Sequence, residues 1–214
     1  MAFTQEQLSR TRRVVAVAIA AIAVGLVAFL VLGRVGIQGA LSEREASSEA
    51  THSVDDIDAT FEPMVRALEG RHEEDPTDPA ALLELANAYF DWGTYARSHA
   101  TSDGDRDHAV ELFKTAVGHY DTYLASHASK SATVDRAICL FYAGDTQAAI
   151  AALEAFVAQD ASFAPAWANL GMFRESLDDI DGASDAYRRA IDTAGDDDAY
   201  GVRDYAQSRL DALG

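Results

Sequence analysis

Residues 164–195, APAWANLGMFRESLDDIDGASDAYRRAIDTAG, carry the clearest structural pattern in the chain. Its apolar positions recur every three or four residues in two separate segments, which is the period of a helix with one buried face. These positions are Trp167, Leu170, Gly171, Ala183, Tyr187 and Ala190. A short polar run, Asp178-Asp179-Ile180, separates the two segments. The stretch therefore predicts a helix-turn-helix.

The same pattern occurs 34 residues earlier in the chain. The residues one period before Ala183, Tyr187 and Ala190 are Ala149, Leu153 and Phe156. The polar turn also has a counterpart, Gly144-Asp145-Thr146. A second helix pair is therefore predicted from about 130 to 163.

This 34-residue pattern of W-x2-L-G followed by A-x3-Y resembles the tetratricopeptide repeat (TPR). A further copy begins with Leu82-x-x-Leu85-Ala86-x-x-Tyr89, and we expect Gly93 to close its first helix. Gly93 lies 51 residues before Gly144, which is 17 more than one period. We place the extra residues in an insertion at 96–108 and in a lengthened second helix from about 106 to 126.

The N-terminal part of the chain predicts a membrane anchor. Residues 14–33 are uncharged and almost wholly apolar, and twenty residues of helix span roughly 30 Å, the thickness of a hydrocarbon core. Residues 1–13 then form a cytoplasmic stub, because Arg10, Arg12 and Arg13 favour retention of the N-terminus in the cytoplasm. A cleavable signal peptide is the alternative, although the length of the stretch and the absence of an A-x-A exit favour an uncleaved anchor.

The predicted fold class is all-α, with a single N-terminal transmembrane helix followed by an α-solenoid of about three repeats. Residues 34–55 are small and polar and form a linker. The TPR domain then covers 56–214. Its parts are a preceding helix at 56–72, repeats at about 79–126, 130–163 and 164–195, and a capping helix at 197–213. This domain lies on the extracytoplasmic side of the cytoplasmic membrane in this interpretation.

The charge and cysteine content of the chain limit the classes of partner and of covalent cross-link that it can have. The chain carries 17 Lys and Arg against 35 Asp and Glu, a formal net charge of -18 at pH 7, and such a charge disfavours nucleic acid. The single cysteine, Cys139, excludes an intrachain disulfide. Its apolar helical context favours a buried side chain.

The sequence shows no constellation typical of an enzyme. Its six histidines form no metal motif with a third ligand. The run 103–107, DGDRD, resembles a calcium loop, but its glycine stands second and Lys114 occupies the twelfth place. We therefore expect a polar insertion tip there, no catalytic residue, no metal and no cofactor.

The resemblance to TPR proteins implies a protein-binding groove lined by the first helix of each repeat. The family positions that line this groove fall on Leu83, Glu84, Asn87, Phe90, Asp91, Val134, Asp135, Ile138, Phe141, Tyr142, Asn169, Met172 and Glu175. Asn87 matches an asparagine that chaperone-binding TPRs use to hold a peptide, but their clamping lysines and arginines are absent. Aromatic and acidic residues together favour an apolar partner segment with basic neighbours. The alternative is that the aromatic residues only pack the superhelix.

One anchor with about three repeats resembles two groups of TPR proteins. One group acts in cytochrome c maturation, and the other consists of chaperones associated with the translocon. The sequence has no haem-binding signature that separates them. A homo-oligomeric structural scaffold of an envelope complex is the second class of function, with self-association through the insertion and the terminal helix. The leading hypothesis is an adaptor that binds exported or membrane proteins at the outer face of the cytoplasmic membrane.

Overall fold

A computed structural model describes residues 53–195 and 198–214. Within these ranges the chain forms helices joined by short turns. The helices are α1 (Val54–Glu74), α2 (Pro79–His99), α3 (Asp103–Leu124), α4 (Lys130–Tyr142), α5 (Thr146–Gln159), α6 (Ala164–Glu175), α7 (Ile180–Thr193) and α8 (Val202–Leu213). The described part therefore has the all-helical, solenoid-like fold that the 34-residue pattern predicts.

Short polar side chains start most of these helices. At six helix starts the residue before the first turn accepts a hydrogen bond from a backbone N–H of that turn. These residues are Ser53, Asp78, Ser102, Ser129, Asp145 and Asp179. Each such cap satisfies a donor that the helix leaves free and contributes about 1 kcal/mol. The sequence thus fixes where the helices begin.

The turns inside the second and third pairs share one backbone conformation. Gly144 has a φ of 93° and Asp178, 34 residues later, has a φ of 60°. In both turns the next residue donates its backbone N–H to a carbonyl five residues earlier, Asp145 to Leu140 and Asp179 to Arg174. A left-handed residue closes the first helix and reverses the chain. The turn conformation therefore repeats with the same 34-residue spacing as the sequence pattern.

The first pair departs from the expectation that Gly93 closes its first helix. Helix α2 continues through Gly93 to His99, and α3 begins at Asp103. A Cβ on Gly93 would lie 3.1 Å from the ring of Phe113, so this glycine allows α2 and α3 to approach closely. The extra residues lengthen both helices of the pair instead of forming a separate loop.

The run 103–107 is likewise not a loop tip. It forms the first turn of α3, where Ser102 and Asp105 make reciprocal capping hydrogen bonds. Asp105 also accepts a bond from the Thr101 backbone N–H at 2.8 Å, and these bonds lower the pKa of its carboxyl to about 2. The alternating carboxylates therefore reflect helix capping.

Two helix boundaries also differ from the sequence expectation. Helix α1 begins at Val54, so the last residues assigned to the linker are helical. Helix α8 begins at Val202, five residues later than position 197, because Gly201 at φ 63° turns the chain first. The predicted stub, the anchor at 14–33 and the linker up to residue 52 lie outside the described residues. Among the described helices, none is long and apolar enough to cross a bilayer.

Candidate binding groove

The first helices of successive pairs lie side by side. Helix α2 contacts α4, α4 contacts α6, and α6 contacts α8. The second helices α3, α5 and α7 have at most sparse contacts with one another. In a curved stack of helix pairs, the helices on the concave side approach each other more closely than those on the convex side. The first helices α2, α4 and α6 therefore form the concave side. We call the surface of α2, α4 and α6 on that side the inner face.

Two residues of the predicted groove are buried beneath the inner face. Phe90 is 6% exposed and Val134 is 3% exposed. The ring of Phe90 packs edge-on against Phe113, with 6.2 Å between the ring centroids. In the structure these two side chains pack in the core and hold the groove helices in position.

Five apolar or aromatic residues of the predicted set are half-buried. They are Leu83, Ile138, Phe141, Tyr142 and Met172. The ring of Phe141 is stacked on the buried Phe173 at 4.6 Å between centroids. Packing therefore holds one side of these side chains in place, while each keeps some surface open to solvent. Rigid half-buried groups of this kind suit recognition because little conformational entropy is lost on binding.

The two amides of the predicted set differ in what they can offer a ligand. Asn87 is exposed, and its Oδ1 accepts a hydrogen bond from the Tyr120 hydroxyl at 2.7 Å. This bond orients the amide and leaves its NH₂ group available as a donor. Asn169 instead donates its Nδ2–H to the carbonyl of Pro165 in its own helix at 2.8 Å.

Two of the four predicted carboxylates are paired within the chain. Glu84 on α2 forms an ion pair with Arg71 of α1 at 2.7 Å. Glu175 on α6 accepts hydrogen bonds from Arg209 of α8 and, at 2.8 Å, from the hydroxyl of Tyr187. Both glutamates therefore join neighbouring helices together, and their charge is compensated.

The other two carboxylates, Asp91 on α2 and Asp135 on α4, form no hydrogen bond or ion pair with any described residue. Burial raises the pKa of Asp91 to about 6. Burial, with the nearby charge of Asp91 as a smaller cause, raises the pKa of Asp135 to about 7. Each side chain still has solvent-accessible surface. The two half-buried carboxyls thus lie on the contacting helices α2 and α4, and no described residue supplies a compensating cation.

The arginines that share α4 with Asp135 and α2 with Asp91 have other partners. Arg136 donates its Nε–H to Asp121 on α3. Arg97 lies with its guanidinium 4.6 Å from the centroid of the Tyr142 ring. Neither guanidinium lowers the pKa of Asp91 or Asp135. The sequence pattern does not predict this distribution, because each arginine finds its partner on a different helix: Asp121 lies on α3, and Tyr142 lies on α4.

The described residues contain no group of three or more His, Cys, Asp and Glu side chains arranged to hold a metal ion. Cys139 is buried as expected, and burial keeps its pKa well above the usual value. A thiol in that state is a poor nucleophile.

Comparison with known proteins agrees with the repeat pattern. Residues 164–197 match the model of the tetratricopeptide repeat, which confirms the TPR resemblance for this stretch. No curated protein matches the chain. The crystal structure of MamA is 24% identical and covers 74% of this chain and 91% of its own, with a TM-score of 0.50. A second MamA structure is 23% identical and covers 72% of this chain and 78% of its own, with a TM-score of 0.46. At these identities the likeness concerns the fold alone.

Proposed function

We propose that this chain is a protein–protein interaction scaffold that binds a segment of a partner protein along the inner face. The observation that carries the proposal is the row of half-buried apolar side chains on three adjacent helices, beside two unpaired carboxylates. Leu83, Ile138 and Met172 represent this row on α2, α4 and α6. An apolar segment with basic residues would cover the row and compensate the charge.

The remaining groups fit the same role. Asn87 presents a free NH₂ group from an oriented amide, which suits a backbone carbonyl of a bound segment. Glu84 and Glu175 stabilise the contacts of α2 and α6 with neighbouring helices. The TPR match in residues 164–197 supports a scaffold, because the family consists of repeats that present extended concave surfaces.

The scaffold is proposed to be tethered to the cytoplasmic membrane by residues 14–33, with the repeats on the extracytoplasmic side. The support is the sequence, which has twenty apolar residues after an arginine-rich stub. A tether of this kind raises the effective concentration of the groove near other membrane-bound or emerging chains. Resistance of the protein to carbonate extraction, with protease access from the outside, would support this placement. Release by carbonate would contradict it.

Site-specific photocrosslinking tests the groove. A photoreactive phenylalanine analogue replaces Leu83 or Met172 in the full-length chain expressed in its own host. The matched control positions are Lys114 on α3 and Asp185 on α7, which are exposed on the second helices. We expect adducts at the two groove positions and not at the control positions. Mass spectrometry of the adduct should identify an apolar segment with a nearby lysine or arginine.

The same experiment distinguishes the alternatives. Adducts with a second copy of this chain would favour the homo-oligomeric scaffold, and equal adducts at all four positions would contradict a groove. The pathway is tested separately by deletion of the gene. Loss of c-type cytochromes would favour a role in their maturation, whereas accumulation of unexported precursors would favour a translocon-associated chaperone.

A further inference from the structure

Helix α1 is held against the first pair by two different sets of contacts, one on each side of Pro63. This proline removes a backbone donor from the middle of the helix, so the two halves are joined less firmly than in a continuous helix. We propose that α1 is a pH-sensitive clasp. Acid detaches its C-terminal half, residues 64–74, from α2 and α3, while its N-terminal half stays in place.

The C-terminal half is held by a half-buried cluster that spans three helices. The hydroxyl of Tyr89 on α2 donates to Glu69 of α1 at 2.7 Å between the oxygens. The ring of Tyr89 is also stacked on His119 of α3, with 5.3 Å between the ring centroids and 16° between the planes. His72 lies three residues beyond Glu69, on the same face of α1. All four side chains are half-buried.

His72 contributes a nitrogen that is poorly placed to carry an added proton. Within the described part of the chain, its Nδ1 is the one buried side-chain nitrogen or oxygen that has no hydrogen-bond partner. A neutral imidazole carries one N–H, which the other ring nitrogen can provide, whereas a protonated imidazole carries an N–H on both nitrogens. Protonation of His72 would therefore create a buried donor without an acceptor, which is costly.

The environment of His119 also disfavours protonation. Burial, followed by the nearby His72, lowers the pKa of the His119 imidazole from its ordinary value of 6.5, and the opposite effect of Glu69 is smaller. Below about pH 6.5 the folded chain thus binds fewer protons at this ring than the unfolded chain does, and the stability that the packed ring contributes is lost. Burial and the bond to Glu69 raise the pKa of Tyr89 to about 12, so its hydroxyl stays neutral.

The contacts of the N-terminal half respond differently to acid. Asp58 Oδ1 accepts a hydrogen bond from Trp92 Nε1 at 2.6 Å and lies 3.1 Å from Nε2 of His108. A protonated His108 would keep this contact as a charge-assisted hydrogen bond. This half also buries two apolar side chains, those of Val54 and Ile57. Acid therefore weakens the contacts on one side of the proline and not those on the other.

Detachment would also change the charge of the proposed groove. Arg71 lies in the C-terminal half of α1, and its Nη1 pairs with Glu84 of α2 at 2.7 Å. Because Arg71 stays protonated, this exposed pair does not cause the release. When the half-helix leaves, Glu84 loses this cation next to Leu83 of the inner face. This consequence, unlike the clasp itself, rests on the groove proposed above.

Hydrogen exchange with mass spectrometry tests the clasp on the full-length chain in detergent micelles, without a partner. Protection factors are compared at pH 7.5 and pH 5.5 after correction for the pH dependence of the chemical exchange rate. We expect the protection of residues 64–74 to fall roughly tenfold at the lower pH, which corresponds to about one unit of pKa difference. The protection of residues 54–62 should change by less than about twofold.

The double variant His72→Leu/His119→Phe removes both proton sites and keeps apolar groups in their places. Its residues 64–74 should be equally protected at the two pH values. The matched control, His99→Leu/His127→Phe, changes two histidines at helix ends outside the cluster and should keep the acid effect. If the double variant does not fold, His119→Phe alone should reduce the acid effect, because it keeps a ring against Tyr89.

Three results would overturn the clasp. The first is unchanged protection of residues 64–74 in the wild-type chain. The second is an equal loss of protection in both halves of α1, which indicates general unfolding. The third is an acid effect that persists in the variants without these histidines, because carboxylates would then be its cause. The crosslinking experiment tests the groove independently of all three.

Discussion

The ring of Tyr187 on α7 lies directly against the backbone of α6 at Gly171. A Cβ on Gly171 would be only 2.6 Å from Cε1 of this ring. Tyr187 is fully buried, and its hydroxyl donates to Glu175 one turn further along α6 at 2.8 Å. One ring thus joins the two helices through both a close packing contact and a hydrogen bond.

Replacement of this glycine should therefore destabilise the third pair. We expect Gly171→Ala to lower the free energy of unfolding by about 2 kcal/mol, because the ring must leave its position or the helices must separate. Gly118→Ala is the matched control, since a Cβ there meets nothing within 4 Å and alanine should add about 0.5–1 kcal/mol in a helix. Urea unfolding followed by circular dichroism measures both. Equal effects of the two substitutions would contradict the packing explanation.

The half-buried carboxyl of Asp135 makes stability depend on pH. Its pKa of about 7 lies above the ordinary value of 3.8 for an aspartate, so the folded chain binds more protons than the unfolded chain between about pH 4 and 7. Stability should fall as pH rises through this window. Asp135→Asn removes the ionisation and should stabilise the fold at pH 8 by on the order of 2 kcal/mol.

At pH 4 the advantage of Asp135→Asn should nearly vanish, because the wild-type carboxyl is then protonated in the folded chain. Asp185→Asn, at an exposed position of α7, should change stability by less than about 0.5 kcal/mol at either pH. Thermal unfolding at the two pH values checks both. A gain from Asp135→Asn that is independent of pH would show that the charge is not its cause.

Helix α1 is joined to the first pair through Asp58. Its Oδ1 accepts a hydrogen bond from Trp92 Nε1 at 2.6 Å and contacts His108 Nε2 at 3.1 Å. Asp58→Ala should cost about 1–3 kcal/mol, since it leaves the buried indole N–H without an acceptor. Hydrogen exchange should accelerate mainly in α1. Glu62→Ala, which breaks only an exposed pair with Arg66, should cost less than about 0.5 kcal/mol.

The last helix depends on the contact between Glu175 and Arg209. Arg209→Met keeps much of the side-chain length but removes the cation from the partly buried Glu175. We expect a loss of about 2–3 kcal/mol and faster hydrogen exchange in α8, because the carboxylate loses its charged partner. Arg188→Met removes an arginine from an exposed pair on α7 and is the control. Unchanged exchange in α8 would show that apolar packing alone holds this helix.

Much of the fold can be read from local sequence signals. The spacing of Trp167, Gly171 and Tyr187 predicts a helix pair, and the copy 34 residues earlier predicts a second one. The lengthened first pair is harder to read. Gly93 resembles a helix stop in the sequence, but only its contact with Phe113 shows that it allows two long helices to approach. The local sequence does not distinguish a glycine inside a helix from a glycine that ends one.

Local patterns were enough to predict that this chain is built from helix pairs and which residues fall on their first helices, because helical period and capping are local properties. The packing of the helices was needed to show which groove residues are accessible and which carboxylates are paired with a cation. Arg71 and Arg209 reach Glu84 and Glu175 from 13 and 34 residues away in the chain, whereas no cation of the described residues pairs with Asp91 or Asp135. Compensation of charge depends on which side chains meet in space, and no spacing within one repeat encodes it.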